Sequence, residues 1–215
     1  MTIGKLFYTR SKMIPMLVLA SASPRRQELL RNAGIAFEVQ PADIPEAPLP
    51  EEAANDCAKR LAREKALAIA VQRPHDCVLG ADTVVVVDGQ LLGKPSDTAD
   101  AARMLRMLSG RQHQVITGVC LVVDGKPSVA SKTTLVTMSE ITGQEIADYI
   151  ATGEPMDKAG AYAIQGIASR WIPRIEGDYS NVVGLPIPLV FRMLQELGCK
   201  IGAEFSRIGE TSSCY

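Results

Sequence analysis

Apolar residues fall along this chain in two rhythms: short unbroken runs, and longer stretches where they recur every three or four positions. The first rhythm reads as buried strand, the second as amphipathic helix. Residues 16–20 form the first strand. A helix follows over 24–33, with Ser23 at its N-cap, Pro24 at its first position and Gly34 closing it. Its inner face is Leu29, Leu30 and Ala33. Residues 41–50 (PADIPEAPLP) are a proline-stiffened loop carrying Asp43 and Glu46. Residues 51–71 are a long alanine-rich helix with the stripe Ala58, Leu61, Ala62, Ala66 and Ile69. Lys65 sits on that stripe, four residues from both Leu61 and Ile69.

The most apolar stretch is CVLGADTVVVVDGQLLGKP, residues 77–95. It reads as a strand ending at Gly80-Ala81-Asp82-Thr83, a second strand over 84–87, and an Asp88-Gly89 hairpin turn. The returning strand ends at Gly93-Lys94-Pro95. Beyond it, residues 97–108 are a helix capped by Ser96 or Asp97, with Ala101, Met104, Leu105 and Leu108 on one side. Strands at 113–123 and 128–138 flank an Asp124-Gly125 turn. Thr142 to Glu145 is a capping box opening a helix to 151. Residues 153–166 keep neither period and read as a loop. A strand over 168–175, a loop over 176–181 and a helix over 188–197 complete the pattern.

Strands and helices alternate with short connections, and at least two hairpins interrupt any parallel order. The expectation is one α/β domain built on a mixed, twisted sheet flanked by helices. Its span is 16–199, after an extension over 1–15 and before a tail over 200–215. Lys5, Arg10 and Lys12 before MIPMLVLASAS also resemble a short signal peptide, but the same run serves as the first strand, and that reading is preferred. No apolar run approaches the ~20 residues of a membrane helix.

Composition narrows the chemistry. The net charge is −1, so any polyanion site is local and stable nucleic-acid binding is not expected. The five cysteines include no CxxC pair, which speaks against a disulfide framework or zinc ribbon and for a reducing cytoplasm. With two histidines, a bound metal is expected to be a hard cation on oxygen ligands.

Two places carry charge where the pattern disfavours it. Asp82 lies inside an apolar run, where a carboxylate needs a partner. It reads equally as a turn-capping acid or as part of a phosphate and metal site, with the hairpin returning Lys94 toward it. Arg25 and Arg26 occupy a helix first turn, where the dipole disfavours cations. Beside Ser21, Ser23 and free N–H groups they describe an anion cradle; a solvated arginine pair is the plainer reading. Lys65 either meets an anion or snorkels outward. In the 153–166 loop, Tyr162 and Gln165 suit holding a ring and reading its edge; a turn-rich connector is the plainer reading. No GxxxxGK[ST] loop and no Ser-His-Asp set is present. Scattered cations (Arg25, Arg26, Lys65, Lys94, Lys158) with acids (Glu46, Asp82, Asp157) suit phosphoanhydride hydrolysis.

Five segments in fixed order, SASPRRQELL, GADTVVVVDGQLLGKP, MLRMLSGRQHQVITGV, GEPMDKAGAYAIQG and VVGLP, resemble the Maf family of nucleoside triphosphate pyrophosphatases. The resemblance runs from Leu17 to Leu197. It implies a Maf/Ham1-like fold with a nucleotide cleft, cleavage of a nucleoside triphosphate to its monophosphate and pyrophosphate, a divalent cation (Mg²⁺ or Mn²⁺), and a homodimer. It further implies that Asp82 activates water, that Ser21, Arg26, Lys65 and Lys94 bind phosphate, and that Glu46 joins Asp82 as a metal ligand. Arg25, Thr83 and Gln165 match the branch acting on dTTP and UTP; the 7-methyl-GTP branch carries Trp, Gln and Glu there. The alternatives are that second branch, or a non-catalytic nucleotide- or nucleic-acid-binding regulator of cell division.

Overall fold

The computed structural model describes residues 16–199, so the expected extension and tail lie outside the described residues. Seven strands form one mixed sheet: β1 (Leu17–Leu19), β2 (Glu38–Val39), β3 (Cys77–Val87), β4 (Gln90–Leu92), β5 (Gln112–Val123), β6 (Lys126–Thr137) and β7 (Arg174–Glu176). Their order is β2-β1-β3-β5-β6-β7, with β4 also on β3. β1 runs parallel to β2 and β3, and the remaining pairings are antiparallel. The helices are α1 (Pro24–Asn32), α2 (Ala54–Ala70), α3 (Thr98–Leu108), α4 (Gly143–Ala151), α5 (Tyr179–Val183) and α6 (Ile187–Glu196).

The expected caps form. The Ser23 and Asp97 side chains accept from N–H groups in the first turns of α1 and α3. Thr142 and Glu145 close the capping box of α4. All five expected stripe residues of α2 are buried, and so are those of α3.

Four expectations need correction. β3 is one unbroken strand of eleven residues, so Asp82 lies inside it and not at its end. The ladder to β5 runs from Val78 to Val86 and carries the strand straight through Gly80. Ala33 is exposed, because α1 ends before it and only Leu30 is fully buried. The strand expected over 168–175 is a 3₁₀ turn, Ile167–Trp171, followed by the three-residue β7. The loop expected over 176–181 already contains the start of α5, which Asp178 caps through the Ser180 and Asn181 N–H groups.

Two features of this sheet position the cleft. The first is how closely α2 lies on it. A Cβ at Gly80 would stand 2.2 Å from the Ala62 carbonyl oxygen, and one at Gly118 2.2 Å from that of Ala58. Glycines on the sheet face alanines on the helix, so the helix backbone rests almost on the strands. The second is a gap. β1 pairs with Cys77–Leu79 and β4 with Val85–Val87 on one edge of β3, while β5 takes the other. Among the described residues, no strand pairs with 80–84 on that edge.

Candidate active site

The gap opens into a cleft of about 640 Å³, within the usual range for small-molecule sites. Ser21, Arg25, Arg26, Glu46, Lys65, Asp82, Thr83, Lys94 and Gln165 all line it, so every residue singled out by the resemblance meets there. Side chains alternate across a strand, so Asp82 and Thr83 project to opposite faces of β3. Both reach the same cleft because the bare edge lets it wrap around the strand.

On the α2 face, four charges form an alternating chain. Lys65 Nζ donates to Asp82 Oδ1 at 2.6 Å and meets Glu46 Oε1 at 2.7 Å. Lys94 Nζ reaches Glu46 Oε2 at 3.0 Å. Lys65 and Asp82 are buried, and Glu46 and Lys94 are exposed. The sequence left open whether Lys65 snorkels outward; the closeness of α2 aims it inward instead. Burial works to raise the Glu46 pKa, but hydrogen bonds and charge from Lys65 and then Lys94 outweigh it and hold the carboxyl at about 2.

On the other face, the paired arginines diverge. Arg26 turns inward: Nε donates to the Gly184 carbonyl at 2.9 Å, one terminal nitrogen to Ser21 Oγ at 3.1 Å, the other to Thr83 Oγ1 at 3.2 Å. Burial, above all, lowers its pKa, and the charges of Asp82 and Glu46 oppose that shift. Arg25 turns outward to Asp157 at 3.4 Å, which also takes Lys158 at 2.5 Å. Burial works to raise the Asp157 pKa, yet Lys158 and Arg25 together hold it below the usual carboxylate range. The Thr83 hydroxyl lies 3.0 Å from that of Thr117.

Gln165 differs from these. It is exposed at the cleft and makes no side-chain hydrogen bond among the described residues. Tyr162 also lines the cleft, with its hydroxyl 2.7 Å from His113 Nε2. His113 is buried, and burial pushes its pKa down to about 4.

The Gly184 carbonyl is a partner that sequence reasoning missed, although its VVGLP segment was noted. A main-chain acceptor leaves no residue-type signal. The sequence reading takes Gly80 as part of a strand end and does not single out Gly118; a glycine inside a strand is the signal that finds both close approaches.

For a divalent cation, the described residues hold no cluster of three or more His, Cys, Asp or Glu ligands. Asp82 Oδ2 makes no hydrogen bond among the described residues, and Glu46 is bridged to Asp82 through Lys65. Two carboxylates of this kind suit Mg²⁺ or Mn²⁺, which are held by one or two acids plus phosphate oxygens rather than by a protein cage. The donor set therefore fits such an ion once a polyphosphate is present.

The profile of the family described as Maf-like protein matches residues 16–197. The chain belongs to the Maf-like family. Among curated relatives, the dTTP/UTP pyrophosphatase of Koribacter versatilis is 59% identical over 182 residues, covering 85% of this chain and 94% of that one. The dTTP/UTP pyrophosphatase of Symbiobacterium thermophilum is 51% identical, covering 86% and 95%. That of a Geobacillus strain is 48% identical, covering 85% and 98%. Among solved structures, a HAM1 protein from Coxiella burnetii aligns at a TM-score of 0.41 and 20% identity, over 59% of this chain and 74% of that one. No helix of the described residues is long and apolar enough to cross a membrane.

Proposed function

We propose that this Maf-like chain hydrolyses dTTP and UTP to the monophosphate and pyrophosphate. One observation carries the reading: a buried carboxylate, Asp82, on a bare strand edge, ion-paired through one oxygen, with its other oxygen unpartnered among the described residues in a cleft lined by cations. The curated relatives' names support it, and so do Arg25, Thr83 and Gln165, the three residues that match the dTTP/UTP branch.

In this mechanism Lys65 orients Asp82 through Oδ1. Oδ2 takes the proton of a water molecule as it adds to phosphorus at the α–β anhydride link. The bridging P–O bond breaks and pyrophosphate leaves. Arg26, held by Ser21, Thr83 and Gly184, offers its remaining N–H groups to phosphate oxygens, as does Lys94. Asp82 and Glu46 would hold Mg²⁺ or Mn²⁺, which supplies neutralisation of the phosphate charge. Gln165 reads the pyrimidine edge with an amide that both donates and accepts. Because Arg26 and Thr117 occupy the Thr83 hydroxyl, Thr83 acts on the substrate through Arg26. The proposal places the enzyme in the cytoplasm, in keeping with its cysteine usage, and as a homodimer, as the resemblance implies.

The test is incubation of the purified protein with dTTP, UTP, dCTP, GTP and 7-methyl-GTP, each with Mg²⁺ or Mn²⁺, and chromatography of the products. dTMP and UMP with stoichiometric pyrophosphate are expected. Unchanged dTTP and UTP would overturn the assignment, as would diphosphate with inorganic phosphate. Turnover of 7-methyl-GTP alone would move the chain to the other branch.

A further inference from the structure

Among the described residues the Gln165 side chain has no hydrogen-bond partner, so its position rests on its own backbone. That backbone hangs on a carboxylate that does not line the cleft. Glu154 Oε1 accepts from the Tyr149 hydroxyl at 2.8 Å and from the Ile167 N–H at 3.2 Å, and Oε2 lies 3.3 Å from the same N–H. The Tyr149 oxygen in turn accepts from the Ala163 N–H at 3.3 Å. Two main-chain N–H groups, one on each side of Gln165, therefore end on a single Glu–Tyr pair. Gly166 fits tightly against it: a Cβ there would stand 2.1 Å from Glu154 Oε1.

The pair is itself anchored. Tyr149 is 1% exposed, on α4, and its ring packs edge-on against Trp171 with centroids 5.4 Å apart. Burial, and then Glu154, raise the phenol's pKa, so it remains a donor across the ordinary pH range.

We propose that Glu154 and Tyr149 are positioning residues for substrate choice: they clasp residues 163–167 and thereby set where the Gln165 amide meets the base. The inference rests on Gln165 being the base reader in the proposed function. A clasp acts on binding and discrimination. It does not act on the water attack, which happens on β3.

The experiment measures kcat and KM for dTTP, UTP and dCTP with the wild type, Tyr149→Phe, Glu154→Ala, Glu154→Gln and Gln165→Ala. Tyr149→Phe keeps the ring and removes only the hydroxyl, so it stays readable even if Glu154→Ala folds poorly. Loss of the clasp should raise KM for dTTP and UTP about tenfold and shrink the dTTP-over-dCTP ratio by a similar factor, as expected for one or two lost hydrogen bonds. The fall in kcat should be smaller than the rise in KM. Glu154→Gln, which keeps one acceptor oxygen, should recover most of the ratio. Equal losses of kcat on all three nucleotides with an unchanged ratio would overturn the clasp and leave only a structural role. An unchanged ratio in Gln165→Ala would overturn it from the other side, by removing the reader it serves. No turnover of dTTP or UTP by the wild type would instead be the failure of the proposed function.

Discussion

Lys65 Nζ sits 2.6 Å from Asp82 Oδ1, a helix residue and a strand residue brought together where α2 lies directly on the sheet. The pair ties the catalytic proposal to the stability of the fold. Removing the lysine leaves Asp82 buried without its partner. Lys65→Met is expected to lower stability by about 3 kcal/mol in urea denaturation, the usual scale for a broken buried pair. Asp82→Asn removes the charge along with the need for a partner. It should keep nucleotide binding, measured by calorimetry, while cutting pyrophosphate release by about a hundredfold or more. Wild-type rates in Asp82→Asn would end the general-base assignment.

The base end of the cleft gives a second expectation. Gln165→Glu replaces an amide with an acceptor-only carboxylate. It would face the carbonyl oxygens of thymine and uracil. The kcat/KM for dTTP and UTP should fall at least about tenfold, the equivalent of one frustrated hydrogen bond. Steady-state kinetics on both nucleotides decide it, and unchanged values would remove Gln165 from the specificity argument.

Much of this is legible in the sequence. The alternation of short apolar runs with amphipathic stretches gave the α/β layers. The caps at Ser23, Asp97 and Thr142 were local signals, and local hydrogen bonds honoured them. The parts missed or misread lack such signals. β2 is two exposed residues whose pairing to β1 depends on a distant neighbour. Residues 167–171 look strand-like because they are partly apolar, but Ala168 and Trp171, three apart, are the buried pair, as a 3₁₀ turn requires. Lys65 sits on the apolar stripe of α2, but whether it turns inward is open in the sequence; the packing of Ala58 and Ala62 on Gly118 and Gly80 decides it and names its partner.

That packing predicts a sharp sensitivity. Gly118→Ala puts a methyl group into the Ala58 carbonyl, which is backbone and has nowhere to go. The helix must lift, and Lys65 lifts with it. A loss of about 3 kcal/mol in denaturation is expected, the upper end for overpacking. A fall in turnover should accompany it in the fraction that remains folded. Stability within experimental error of wild type would mean that the helix yields more easily than its contacts suggest.

His113 makes stability depend on pH. Its ordinary pKa near 6.5 is pushed down to about 4 by burial, so the fold prefers the neutral ring. As pH falls below 6.5 the unfolded chain takes up the proton first, and the folded state loses ground until its own ring protonates near 4. The stability tied to this residue is thus fully present above 6.5. About 3 kcal/mol is lost across that window, from the 6.5-to-4 displacement at 1.36 kcal/mol per pKa unit. Denaturation at stepped pH should show a steeper decline for wild type than for His113→Gln, which keeps a polar neighbour for Tyr162 but does not titrate. Parallel slopes would place the acid sensitivity in other groups.

The interruption along β3 has one more effect. Exposed strand edges invite a second chain to add itself, and proteins usually blunt them with charge or cover. Here the open stretch is only residues 80–84, stopped at both ends by β1 and β4, with the ionised pair of Lys65 and Asp82 beside it. A guest segment would have to bend sharply into the slot and out again within about the length of one ordinary strand. The fold can thus leave main-chain edge uncovered where a small, highly charged molecule fits, without becoming a template for fibre growth.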